Sequence, residues 1–160
     1  MLYSGGWDQQ VRFWDVRANQ MTHSIGGVQI CGDSVDITKD TNLVVTGGGT
    51  KGEGVQLWDF RDLSKPLKTI DWTILDGEKQ ANPLVNCCKF VPGQNLVLVG
   101  VNDAKAAKCF NYATGEVVEW FNKVEGTCFA LDVSEDGGLC CFGDGSGHVT
   151  FENINYTQMM

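Results

Sequence analysis

The 160-residue sequence lacks any apolar run that approaches the roughly 18 residues a membrane-spanning helix needs. Its N-terminal stretch, residues 1–17, also lacks the apolar segment of a secretory signal peptide. These two absences predict a soluble, intracellular protein made of one domain, with a cytoplasmic location.

Basic side chains are scarce. The chain has twelve Lys and Arg against twenty Asp and Glu, which gives a formal charge of −8, and only three of the basic residues are arginines. Affinity for nucleic acid rests mostly on rows of basic contacts to phosphates. We therefore expect no nucleic-acid partner, and no insertion into a membrane.

Residues that carry chemistry are also sparse. There are two histidines, and no CxxC or HxxxH spacing that would indicate a metal site. Ser146 lies among glycines, but Asp144 occupies the first glycine position of a Gly-x-Ser-x-Gly elbow. The sequence predicts no metal, no cofactor and no catalytic residue, hence a protein that is not an enzyme.

Seven cysteines are present, an odd number, and two pairs of them are adjacent in sequence. Neighbouring residues in a strand point to opposite faces, so Cys87 and Cys88, and likewise Cys140 and Cys141, are poorly placed to bond each other. We interpret the cysteines as reduced core side chains of a cytosolic protein.

Glycine is abundant, at twenty residues against three prolines, and it is spread along the chain. Many tight turns between short alternating segments are typical of an all-β protein. A glycine-rich stretch leading into an apolar-polar segment that ends in Trp-Asp, or in a degenerate form of it, recurs at intervals of roughly 42 to 52 residues. The four copies lie in residues 4–15, 46–59, 99–111 and 141–153.

These copies resemble the WD40-repeat family of β-propellers, strongly in the first two units and weakly in the last two. Trp14-Asp15 and Trp58-Asp59 carry the motif, and Phe110-Asn111 stands in its place in the third unit. The resemblance implies four-stranded antiparallel blades around a channel, with the Trp packed between strands and the Asp in a turn. We expect these six residues to be structural.

The strand pattern predicts a single partial WD40 β-propeller over residues 1–160. Its blades are expected at about 1–26, 27–72, 84–122 and 124–155, with the first and last incomplete. Two blade faces would then be left open, and large apolar patches normally mark an interface. We therefore expect a partner that completes the ring: further copies, another protein, or more of a longer chain.

Aromatic residues outside the repeat pattern are candidates for partner binding. Trp7, followed by Asp8, falls in a hairpin turn, and Trp72 opens the longest connection between strands. Tryptophan is enriched at interface hot spots, and inserted loops often carry recognition. The candidate residues in that connection are Trp72, Ile74, Leu75 and Lys79.

The function that we favour is a non-enzymatic scaffold for protein–protein interactions within a larger assembly, as WD40 relatives usually are. One alternative is a purely architectural subunit of a cytoskeletal or ciliary assembly. Another is a propeller enzyme that uses the carboxylates of Asp33, Asp36 and Asp132 near the channel for acid–base catalysis.

Overall fold

Fourteen β-strands make up the protein in the computed structural model, which describes residues 1–38, 40–49, 54–70, 83–102, 107–121, 123–124 and 126–155. No helix occurs in these ranges, and so none that could cross a membrane. The strands are β1 (Leu2–Gly5), β2 (Gln10–Asp15), β3 (Gln20–Gly26), β4 (Ile30–Ile37), β5 (Leu43–Gly48), β6 (Val55–Asp59), β7 (Lys68–Ile70), β8 (Val85–Phe90), β9 (Leu96–Val101), β10 (Ala107–Asn111), β11 (Val117–Phe121), β12 (Cys128–Val133), β13 (Leu139–Asp144) and β14 (Val149–Asn153).

Consecutive strands pair antiparallel in four groups, which we call sheets 1 to 4. Sheet 1 contains β1–β3, sheet 2 β4–β7, sheet 3 β8–β11 and sheet 4 β12–β14. A parallel bridge between Asp33 and Cys87 joins the innermost strands of sheets 2 and 3, so that their eight strands form one curled sheet. This all-β arrangement of three, four, four and three strands is a partial β-propeller, as the sequence predicts.

Three apolar clusters lie between successive sheets, and alternation along the strands explains them. Val44 packs in the cluster between sheets 1 and 2, whereas its neighbour Val45 packs in the one between sheets 2 and 3. Likewise Cys88 faces sheet 2, and Cys87 faces sheet 4. Sheets 2 and 3 are therefore buried on both faces, while sheets 1 and 4 are each covered on one.

The uncovered faces retain large apolar side chains. On sheet 1 the register places Leu2, Trp14 and Met21 side by side on the face away from sheet 2. On sheet 4 the register places Cys141 beside Phe151 on the face away from sheet 3, and Phe151 is 64% exposed. Within the described residues, no other sheet covers these two faces.

Candidate functional site

The two Trp-Asp units share one local geometry. The Trp14 Nε1 donates a hydrogen bond to the Ser4 Oγ at 3.0 Å, and the Trp58 Nε1 donates to the Thr46 Oγ1 at 2.9 Å. In both cases the acceptor lies two residues beyond the cross-strand partner of the Trp. The third unit has Phe110 at this place, which is buried at 1% exposure.

The polar residues that follow these aromatic residues each close a turn. The Asp15 Oδ1 accepts the backbone N–H groups of Arg17 and Ala18, which lowers the pKa of Asp15. The Asn111 Oδ1 accepts from Ala113 and Thr114 in the same way. Short polar side chains that bond the backbone two residues on are typical turn formers.

Asp59 closes its turn with an additional ion pair. Its Oδ1 accepts the Arg61 backbone N–H at 2.9 Å, and its carboxylate also contacts the Arg61 guanidinium. The side-chain hydrogen bond from Arg61 is the main cause that lowers the pKa of Asp59 to about 2.

Trp7 and Asp8 lie in the turn between β1 and β2. Trp7 is 74% exposed, whereas Asp8 is engaged with its own hairpin: it accepts a hydrogen bond from the Arg12 guanidinium at 2.7 Å and one from the Gln10 backbone. The Arg12 contact lowers the pKa of Asp8. Trp7 is thus accessible and Asp8 bonds within its own turn, and the part of both residues in binding a partner stays a prediction.

The remaining predicted partner-binding residues fall in one connection of the chain. Trp72, Ile74, Leu75 and Lys79 lie outside the described residues. Their part in binding therefore stays a prediction.

The three carboxylates of the enzymatic alternative are engaged in different contacts. The Asp36 Oδ2 accepts the Phe90 backbone N–H at 2.9 Å, across the junction of sheets 2 and 3. Burial is the main cause that raises the pKa of Asp36. Asp33 pairs with Lys89 at 3.0 Å, and the Asp132 Oδ1 accepts the N–H of the next residue on the same strand, Val133. The contacts of Asp36 and Asp33 join sheets 2 and 3, whereas that of Asp132 stays within β12.

A glycine recurs at the equivalent position of β1, β5, β9 and β13 and marks the junctions between sheets. A Cβ added to Gly5 would overlap Ile30, and one added to Gly47 would overlap Val85. At Gly100 it would overlap Cys128. We call this space over the glycine the glycine socket.

The residue that enters each socket is the first residue of the following sheet's innermost strand. Ile30 begins β4, Val85 begins β8 and Cys128 begins β12. All three side chains are short and apolar, and all are buried. In each filled junction, the first side chain of one sheet therefore packs over a glycine of the sheet before it.

The fourth socket is open among the described residues. There the nearest atom to a Cβ added at Gly143 is the Ala130 Cβ of the same sheet, at 3.9 Å. Sheet 4 also carries exposed apolar side chains: Phe129, Leu139, Val149 and Phe151. Glycines in the sequence predict turns, so the pattern alone does not reveal this site, although all four socket glycines lie within the repeat copies.

The fold defines the class of this protein as a partial β-propeller, in which one face of sheet 4 is uncovered within the described residues. No family model matches the chain. It is 33% identical over 67 residues to the mitotic checkpoint protein bub3 of Dictyostelium discoideum, a match that covers 42% of this chain and 20% of that protein.

A second relative is the mitotic checkpoint protein bub-3 of Caenorhabditis elegans, which is 36% identical over 73 residues, or 44% of this chain and 20% of the relative. Each match spans about a fifth of the relative's length. These partial similarities suggest a WD-repeat protein and agree with the observed fold.

Proposed function

We propose that this chain is a non-enzymatic scaffold that binds other proteins, with the uncovered face of sheet 4 as its principal binding surface. The open Gly143 socket carries the proposal, because three equivalent sockets in the same molecule are filled by an apolar side chain from a following strand. The names of the two relatives extend the proposal to an assembly of the mitotic checkpoint.

The chemistry of the occupant follows from the filled sockets. It is an extended strand that begins with a short apolar residue of the size of Ile, Val or Cys. In the filled sockets, that strand is the innermost strand of the following sheet. The apolar side chains around the open socket supply the hydrophobic contact area.

A second copy of the described residues fits this role poorly. Its strands β4, β8 and β12 already have their first residues in its own sockets, and its sheet 1 offers β1 as the innermost described strand. The occupant is therefore a polypeptide segment other than the four described sheets of another copy.

Paired glycine substitutions test the proposal. We expect Gly100→Val to lower the free energy of unfolding by about 1 to 3 kcal/mol, because the new side chain overpacks a filled junction. Gly143→Val meets only open space and valine suits a strand, so its stability should stay within about 0.5 kcal/mol of the parent. Urea unfolding measures both values.

Binding gives the decisive readout. A photo-cross-linking residue placed at Phe151 in cells should capture a partner, and Gly143→Val should reduce the captured complex roughly tenfold or more by blocking the socket. Val16→Asp, at an exposed turn position away from sheet 4, is the matched control and should leave capture unchanged. Capture that is indifferent to Gly143→Val, or a free monomer of 17.5 kDa with no cross-link, would contradict the proposal.

A further inference from the structure

Two buried thiols meet at the junction between sheets 3 and 4. The Sγ atoms of Cys87 on β8 and Cys128 on β12 lie 3.8 Å apart, and both residues have no exposed surface. All seven cysteines of the chain are free thiols. The two residues are 41 positions apart in sequence and belong to different sheets, so a bond between them would tie those sheets together.

A side-chain hydrogen bond and a backbone pairing hold the strands that carry this thiol pair. The Asn86 Nδ2 donates a hydrogen bond to the Cys128 carbonyl at 3.1 Å, which links the two inner strands directly. Cys87 is also held by pairing with Gly100 on its other side. The two sulfur atoms therefore lie on strands whose positions are set by these contacts.

The glycine socket at Gly100 supplies the space that the sulfurs share. A Cβ added there would lie 2.5 Å from the Sγ of Cys87 and 2.5 Å from the Sγ of Cys128. Because glycine has no side chain, both sulfurs lie over it in one small volume. In the equivalent junction between sheets 2 and 3, Ser34 and Val85 occupy this volume.

We propose that Cys87 and Cys128 are a latent disulfide site, which a hydroperoxide oxidises to a covalent bond between sheets 3 and 4. A disulfide requires a sulfur–sulfur distance of about 2.05 Å, so the two atoms must approach by about 1.8 Å. Small rotations of the two side chains over Gly100 can provide this movement.

The chemistry proceeds in two steps. The Cys128 thiolate attacks one oxygen of hydrogen peroxide, the O–O bond breaks, and the products are a sulfenic acid and hydroxide, which takes a proton to become water. The Cys87 sulfur then attacks the Cys128 sulfur and loses its proton, and the departing hydroxide leaves as a second water. Two thiols lose two electrons in all, and one peroxide is reduced to two waters.

The hydrogen bond between the two thiols, which either sulfur can donate, favours this order of attack. It lowers the pKa of Cys128 and raises the pKa of Cys87, while burial opposes ionisation of Cys128 and adds to the rise at Cys87. In this order Cys128 is the attacking thiolate, and Cys87 is the thiol that resolves the sulfenic acid.

Peptide mapping of the oxidised full chain tests this site. The folded protein is incubated with hydrogen peroxide for hours, because both sulfurs are buried, and the remaining thiols are alkylated after denaturation. Digestion with trypsin and Glu-C separates Cys128 from Cys140 and Cys141, since Glu135 lies between them. A Cys88→Ser background leaves Cys87 as the one cysteine of its peptide.

We expect the peptide that joins Cys87 to Cys128 to account for more than half of the oxidised material. The oxidised protein should melt roughly 5 to 10 °C higher than the reduced protein, and dithiothreitol should reverse the shift. Cys128→Ser should abolish both signals, whereas Cys141→Ser, on the uncovered face of the same sheet, should leave them intact. Free thiols at Cys87 and Cys128 after oxidation, or predominant bonding of either to another cysteine, would overturn the proposal.

Discussion

Trp14 and Trp58 occupy the same place in two repeats and differ in what surrounds them. Both indoles donate a hydrogen bond to a hydroxyl on the neighbouring strand, at 3.0 and 2.9 Å. Trp58 is 4% exposed in the cluster between sheets 1 and 2, whereas Trp14 lies on the uncovered face of sheet 1 and is partly exposed. The local structure of the repeat is therefore independent of whether its tryptophan is buried.

Burial of this position is supplied by the preceding sheet. Trp58 faces sheet 1, and Phe110, at the equivalent position, packs in the cluster between sheets 2 and 3. Trp14 has no preceding sheet among the described residues. Each sheet therefore forms its own hairpins but buries its apolar faces only against neighbouring sheets. This is expected for repeat architectures.

Tryptophan removal should separate the two positions by the largest effect. We expect Trp58→Ala to lower the free energy of unfolding by about 3 to 5 kcal/mol, because it deletes a large buried side chain. Trp14→Ala should cost about 1 kcal/mol, the value of its hydrogen bond and partial packing. Urea unfolding of both variants measures the difference.

A phenylalanine variant isolates the contribution of burial in this pair. Trp58→Phe keeps most of the ring and loses the hydrogen bond to Thr46, so it should cost much less than Trp58→Ala. If Trp14→Ala and Trp58→Ala were equally destabilising, burial against the preceding sheet would not explain the contribution of Trp58 to stability.

The strand order could be predicted from the sequence because it depends on local signals. Period-two alternation and polar turns locate β8 at Val85–Phe90, and the repeat spacing groups the strands into three, four, four and three. The sockets could not be predicted in this way. A glycine that accommodates a neighbouring side chain cannot be distinguished by sequence from a glycine that forms a turn. The difference depends on how two sheets pack against each other.

The polar contacts between sheets could not be predicted from the sequence either. The sequence placed Asp33 and Asp36 on an inner strand, but their partners Lys89 and Phe90 come from a strand more than fifty residues later. Pairing across sheets depends on the register of the sheets relative to each other, which alternation within one strand does not specify.

A second comparison contrasts a carboxylate at a sheet junction with one in a turn. Burial raises the pKa of Asp36, so its ionisation favours unfolding: its favourable contribution is full below the ordinary value near 3.8 and declines as the pH rises through the folded value. Arg61 lowers the pKa of Asp59 to about 2, so its contribution is present above the ordinary value and is lost as the pH falls from 3.8 to about 2.

Two amide variants make these opposite signs measurable. Asp36→Asn should gain stability relative to the parent as the pH rises above about 4, since the amide oxygen still accepts the Phe90 N–H and carries no charge. Asp59→Asn should lose stability relative to the parent as the pH rises from about 2 to 4. Urea midpoints across this pH range test both, and slopes of the same sign would contradict the assignment of Asp36 to a desolvated junction.

The smallest expected effect on stability belongs to Trp7, which contrasts with both repeat tryptophans. It is 74% exposed in the turn between β1 and β2, so Trp7→Ala should change the free energy of unfolding by less than about 0.5 kcal/mol. An exposed indole on a rigid hairpin is nonetheless suited to anchor a partner, because little conformational freedom remains to be lost on binding. Capture of a partner by a photo-cross-linker at Gln9, an exposed position of the same turn, should therefore fall with Trp7→Ala. If capture and stability were both unchanged, recognition would rest on sheet 4 without this turn.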